Sequence, residues 1–213
     1  MRTGVIVAGG QSTRFGEADK AAAELAGTPM IRRVGDRLET VVDALVVNCR
    51  GDQREAIEAA MGGYPLPVTF AIDEEPDLGP MAGIYTGLRA VESEYAAVVA
   101  CDMPFVDPDF LECLFERADG HDAALARLED GWYQTTQAVY RAGAMAEACE
   151  AALERRDRRI LDPLEDLEYA VVPEAEVREV TTLETFRNLN TAEEFERAEV
   201  EISRARSPGD TTR

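Results

Sequence analysis

The chain has 213 residues, long enough for one domain with a full core, and 46% of them are hydrophobic, which excludes a disordered polymer. Its 42 acidic against 22 basic residues give a net charge of −20, which argues against nucleic acid or an anionic membrane as partner. An acid-rich surface with almost no Lys suits a high-salt cytoplasm, where self-repulsion is screened. Cys49, Cys101, Cys113 and Cys149 are scattered without a Cys-x-x-Cys pair, so buried, reduced thiols are expected rather than a zinc site or disulfides. No N-terminal stretch has signal-peptide form and no apolar run approaches a membrane span, so a soluble, cytoplasmic protein is expected.

Val5 to Val7 is a β-branched run suited to a buried parallel strand. It breaks into Ala8-Gly9-Gly10, a turn with almost no side-chain bulk, whose amides can approach a phosphate or a base. Two cations follow, Arg14 and Lys20. Strand, Gly-rich turn and paired cations form a nucleotide-phosphate cradle. No Gly-Lys-Ser/Thr closes it as in a Walker A loop, and the Gly-x-Gly-x-x-Gly spacing of a dinucleotide fold is absent. Lys20 is the single lysine; the other 21 basic residues are Arg. A lone lysine is most often surface filler, but this chain uses Lys nowhere else, which marks Lys20 as functional.

Thr28 as N-cap and Pro29 as first helical residue open a helix with Met30, Ile31, Val34, Leu38 and Val41 on one face. Ala44 to Val47 is a second strand, ending at Asn48. Gln53 to Met61 is a helix, and Val68 to Ile72 a third strand, ending at Asp73. Gly79 to Gly83 opens a helix that runs to about Val91. Tyr95 to Ala100 is a fourth strand, ending at Cys101-Asp102, and Pro108 to Ala118 is a helix. This alternation predicts right-handed βαβ units and a mostly parallel sheet.

Further on, Ala123 to Ala126 and Gln137 to Tyr140 are candidate strands with Trp132-Tyr133 between them, and Gly143 to Leu153 is a helix. Arg155, Arg156, Arg158 and Arg159 form the densest basic cluster; they either complement a helix C-terminus or bind an anion. Tyr169 to Val172 is a strand. Thr191 with Glu194 forms a capping box for a last helix, and the tail from Ser203 is expected to fray.

The Ala8–Gly10 loop, Asn48, Asp73 and Asp102 each lie just past a strand's carboxyl end, where open α/β sheets bind ligands. Asp102 either caps the turn before Pro104 or binds Mg²⁺, which takes one or two carboxylates plus substrate phosphates and water. With one His in the chain, His121, no Ser/His/Asp or Cys/His arrangement is in prospect, and acyl transfer is disfavoured. An acceptor that is already an ionised phosphate needs no general base. Its attack on an NTP needs positioning and charge neutralisation, which this chain offers.

These residues resemble the molybdenum cofactor guanylyltransferases, the molybdopterin-guanine dinucleotide biosynthesis protein A family of the nucleotidyltransferase superfamily. The resemblance lies in Val7-Ala8-Gly9-Gly10 with Arg14-Phe15-Gly16 and Asp19-Lys20, in Gly79-Pro80-Met81-Ala82-Gly83, in Cys101-Asp102-Met103-Pro104 and in Asn188-Leu189-Asn190-Thr191. It covers about residues 3 to 198. It implies an α/β, Rossmann-like three-layer sandwich of nucleotidyltransferase type over residues 1–202, with a nucleotide half to about 105 and an acceptor half beyond. It further implies GTP held by Val7, Ala8, Gly9, Gly10, Lys20, Asn48, Asp73 and Asp102, with Mg²⁺ on Asp102. Arg14, Lys20 and Asp102 would be catalytic, and Gly79, Gly83, Arg159, Asn188 and Asn190 would lie near a molybdopterin acceptor. Other cofactor-biosynthesis proteins are expected as partners. Asp73 suits either the guanine N1–H and N2–H donors or a ribose. Ala192 stands where the family has Pro, and Gln134-Thr135-Thr136-Gln137 lacks the family's Pro. A sister cytidylyltransferase, a guanylyltransferase for a cobinamide or phospholactate acceptor, and a GTP-binding protein without turnover are the alternative readings.

Overall fold

The computed structural model describes residues 1–10, 20–73, 79–157 and 159–206. Arg14, Arg158 and the tail beyond 206 lie outside them. Its elements run β1 (Thr3–Val7), a short hairpin of β2 (Glu24–Leu25) and β3 (Thr28–Pro29), α1 (Met30–Leu38), β4 (Ala44–Cys49) and α2 (Arg54–Ala60). Then come β5 (Val68–Ile72), α3 (Pro80–Arg89), β6 (Tyr95–Ala100), α4 (Pro108–Ala118), β7 (Ala123–Arg127), β8 (Tyr133–Arg141) and α5 (Ala142–Glu154). A 3-10 turn (Asp162–Asp166), β9 (Tyr169–Pro173), α6 (Glu174–Val180), a second 3-10 turn (Leu183–Phe186) and α7 (Ala192–Arg206) complete it.

Seven strands form one sheet in the order β5-β4-β1-β6-β8-β7-β9, and β8 alone runs against the others. The parallel half reads as near-continuous apolar runs because both faces are covered. One face buries Ile31, Val34, Ile57, Phe110, Leu114 and Val177 from α1, α2, α4 and α6. The other buries Met81, Ile84, Met145 and Cys149 from α3 and α5. This is the expected three-layer α/β sandwich. A third cluster docks the C-terminal segment: Leu25 and Met30 meet Leu189 and Ala198, with Phe105 and Phe195 packed against them.

Most expected elements are present, some longer than the sequence suggested. The start of α1 differs. Pro29 occupies the N-cap without a side-chain hydrogen bond, because Thr28 and Pro29 pair with Leu25 and Glu24 instead. Helix α6, seven residues with four charges, was not foreseen. Helix α7 continues past Ser203 to Arg206, so the described chain does not fray there. None of the four cysteines is disulfide-bonded; Cys49 and Cys149 are buried, and Cys101 and Cys113 are half-buried.

Phe110 is fully buried, with its ring edge-on to Phe186 at 5.4 Å. Phe110→Ala is expected to lower stability by about 3–5 kcal/mol. Urea denaturation checks this, and a loss under about 1 kcal/mol would contradict the packing described.

Candidate functional site

Backbone register brings the strand ends into one row. Val7 pairs with Asn48 on one side and Ala100 on the other, and Asn48 pairs with Ala71. The bonds continue past the strands: Ala8 N–H donates to Asn48 O at 2.9 Å, Cys101 N–H to Val7 O at 3.0 Å and Asp73 N–H to Cys49 O at 3.0 Å. The Ala8 loop and Asp102 therefore flank the β1–β6 junction, where the strand order reverses and ligands bind in such sheets.

On the β4–β5 side, Asn48 Nδ2 donates to Asp73 Oδ1 at 2.6 Å and to Ala71 O at 3.3 Å. Thr86 also bonds the Asp73 carboxylate. Half-burial pushes the Asp73 carboxyl above the usual carboxylate range; the Asn48 and Thr86 hydrogen bonds and the Arg50 charge oppose this without cancelling it. Asn48 is fully buried, and its Oδ1 has no hydrogen-bond partner among the described residues. That oxygen lies against two glycines. A Cβ at Gly83 would come within 2.5 Å of it, and one at Gly9 within 3.3 Å while colliding with Asp73 Oδ2. Glycine at both places lets loop, helix and Asn48 close up.

Two residues not singled out from the sequence hold the loop. Arg50 donates to Gly10 O at 2.9 Å and Gly9 O at 3.2 Å, and Gln53 Nε2 donates to Ala8 O at 3.1 Å. Arg50 lies two residues past Asn48, a cation at a strand end, and that signal was available. Thr86 had none, since only the fold carries it to Asp73.

On the β6 side, Lys20 is 8% exposed. Its Nζ donates to Asp102 Oδ2 at 2.9 Å and to Asn190 Oδ1 at 3.2 Å. Leu189, fully buried, anchors the segment that carries Asn190, and its N–H donates to Asp102 O at 3.0 Å. Asn188 and Asn190 on either side of it are exposed. Glu194 fixes the segment's far end: its carboxylate accepts from Asn190 N–H at 2.7 Å and Thr191 N–H at 2.9 Å, while Thr191 Oγ1 accepts from Glu194 N–H at 3.2 Å. The expected capping box thus also positions Asn190.

The remaining expected residues are placed differently. Gly79 is the N-cap of α3 with φ of 86°, a backbone state that favours glycine. Gly83 packs on Asn48 and Val7. Because β8 runs backwards, α5 starts at the amino edge and delivers the arginine cluster to the carboxyl edge. Arg159 there is bound by Asp162, with Nε at 2.9 Å and NH2 at 2.7 Å, and Arg155 pairs with Asp157.

Asp102 and the Asn190 amide supply hard oxygen donors, the chemistry Mg²⁺ prefers. No group of three or more His, Cys, Asp or Glu residues gathers among the described residues. The donor set therefore fits an ion that takes most of its shell from phosphates and water, not one caged by protein.

Gly83→Ala is expected to cost about 1–3 kcal/mol, because the methyl must displace Asn48 Oδ1 and Val7. Gly143→Ala, with open space around it, should be neutral or stabilising. Chemical denaturation of the pair checks this; equal midpoints would contradict the close packing at Gly83.

Residues 4–169 match the model of the MobA-like NTP transferase domain. The chain is 55% identical over 202 residues to a probable molybdenum cofactor guanylyltransferase of Natronomonas pharaonis, covering 95% of this chain and 98% of that one. It is 39% identical to the protein of the same name from Haloferax mediterranei, covering 91% of each. The crystal structure of molybdopterin-guanine dinucleotide biosynthesis protein A from Archaeoglobus fulgidus superposes with a TM-score of 0.77 at 29% identity, over 96% of this chain and 100% of that one. The chain is an enzyme of the nucleotidyltransferase fold and belongs to the MobA-like, molybdenum cofactor guanylyltransferase family.

Proposed function

We propose that the enzyme transfers GMP from GTP to the terminal phosphate of molybdopterin and releases pyrophosphate. An acceptor phosphate oxygen forms the new bond to the α-phosphorus as the bond to the β-phosphate oxygen breaks. One observation carries the reading: the buried Lys20, with its partners Asp102 and Asn190, stands across the β1–β6 junction from a glycine loop whose carbonyls are held by Arg50 and Gln53. With the Ala8 amide on Asn48 O, engaging the loop carbonyls would leave the Gly9 and Gly10 amides to meet phosphate.

In this scheme Lys20 offsets the charge that grows on the phosphates, in a site where water is scarce and a cation acts strongly. Asn190 and Asp102 hold its ammonium in place. Mg²⁺ bound at Asp102 would neutralise the triphosphate and the departing pyrophosphate. Asp73 beside the loop supplies a carboxylate acceptor, which suits the two donors on guanine's edge; cytosine presents acceptors there. Arg14 remains a proposed second cation. No helix among the described residues is long and apolar enough to cross a membrane.

Titration calorimetry with GTP, CTP, UTP and ATP, with and without Mg²⁺ in concentrated KCl, is expected to show GTP bound best. CTP preference would move the reading to a cytidylyltransferase. The sign of the pH dependence follows from burial. Asp73 takes its proton above the ordinary carboxylate pKa of about 3.9, so GTP affinity falls as pH drops toward that raised value, and Asp73→Asn flattens the profile. Lys20→Ala should slow GMP transfer by roughly 10²-fold or more. A wild-type rate in that variant would remove the role given to Lys20.

A further inference from the structure

Trp132, the chain's single tryptophan, is 67% exposed. It sits in the β7–β8 connection, at the same carboxyl edge as the site, because β7 ends and β8 begins there. Its turn is closed from every side. Leu128 N–H donates to Trp132 O at 3.0 Å, Gly131 N–H to Leu128 O at 2.9 Å, and Trp132 N–H to the Asp130 carboxylate at 2.9 Å. Gly131 has φ of 88°, a left-handed state that favours glycine. Glu174 of α6 is 7% exposed, accepts from Glu129 N–H at 2.9 Å and is held by Arg178 at 2.7 Å. A rigid turn that presents a large apolar ring to water is built for contact, since a simple connection needs neither the ring nor the brace.

The hairpin's foot lies in the site. Thr136 Oγ1 donates to Met103 Sδ at 3.9 Å, beside Asp102. Between the pairs Leu125–Ala138 and Arg127–Tyr133, β8 has four residues where β7 has one, an irregularity of the bulge kind, which bends a hairpin. Trp132 is four residues from Thr136, so the two lie within about 14 Å of each other. The turn therefore stands at the same sheet edge from which an acceptor whose phosphate meets Lys20 and Asp102 would extend.

We infer that the Trp132 indole is an acceptor-binding platform on which the planar pterin ring stacks while its phosphate reaches Asp102. The inference rests on the acceptor being a pterin phosphate. Stacking fixes the ring's plane without reading its edge, so Trp132 would govern acceptor affinity and leave nucleotide binding alone.

The test is GMP transfer to molybdopterin released anaerobically from a molybdoenzyme, with Trp132→Ala and Trp132→Phe. For Trp132→Ala the acceptor KM should rise about tenfold while kcat and GTP affinity stay within about twofold, and Trp132→Phe should restore most of the affinity. Because no second tryptophan contributes emission, molybdopterin should also quench the wild-type fluorescence directly. An unchanged KM in Trp132→Ala, or unchanged emission at saturating acceptor, overturns the inference and leaves the proposed reaction standing. A wild-type enzyme that makes GTP-dependent product with no pterin phosphate overturns both.

Discussion

A buried ammonium must find partners, and Lys20 is where this constraint falls. Removing an ammonium from water costs several kcal/mol unless charge and hydrogen bonds offset the loss. Asp102 supplies the charge and Asn190 a further acceptor. Meeting that need draws in distant chain. Leu189 must be buried for Asn190 to point at Lys20, and Leu189 is buried only because the β2–β3 hairpin and α7 close over it. Glu194 then fixes the segment from the far end. The corner is thus a condition on the packing of the whole C-terminal region, not a local motif.

The first half of the chain was legible in the sequence because physics there is local. Val68–Ile72, Tyr95–Ala100 and Pro108–Ala118 were read to the residue. Apolar runs between turn formers leave little freedom, and Asp107 with Pro108 marks the start of α4 by capping and fixed φ. Lys20 and Asp102 were found by composition and by place in the topology. Thr28 was misread because its capping signature competes with pairing to Leu25, and nothing in the sequence ranks one above the other. Thr86 and Gln53 could not be found, since ordinary residues acquire their roles only through the neighbours the fold provides.

The second half of the chain was less legible for a physical reason. The parallel strands there give way to β8 running backwards and to a bulge that breaks the two-residue period on which strand reading depends. Helix α6 is too short for a helical period to show, and it is held by Glu174 and Val177. The arginine cluster illustrates the difference between composition and geometry. It is dense in the sequence, but Asp157 and Asp162 engage two of its members.

The bond between Lys20 and Asn190 spans 170 positions of the chain. During synthesis the glycine loop, the Asp73 side and Asp102 all emerge before the segment that completes the lysine's shell. A nascent chain can fold its parallel half early, from contacts close in sequence, while the Lys20–Asp102–Asn190 corner stays open until translation is nearly finished. A partly made chain therefore lacks the completed lysine shell, and losing α7 through premature termination would remove the packing that holds Asn190 against Lys20.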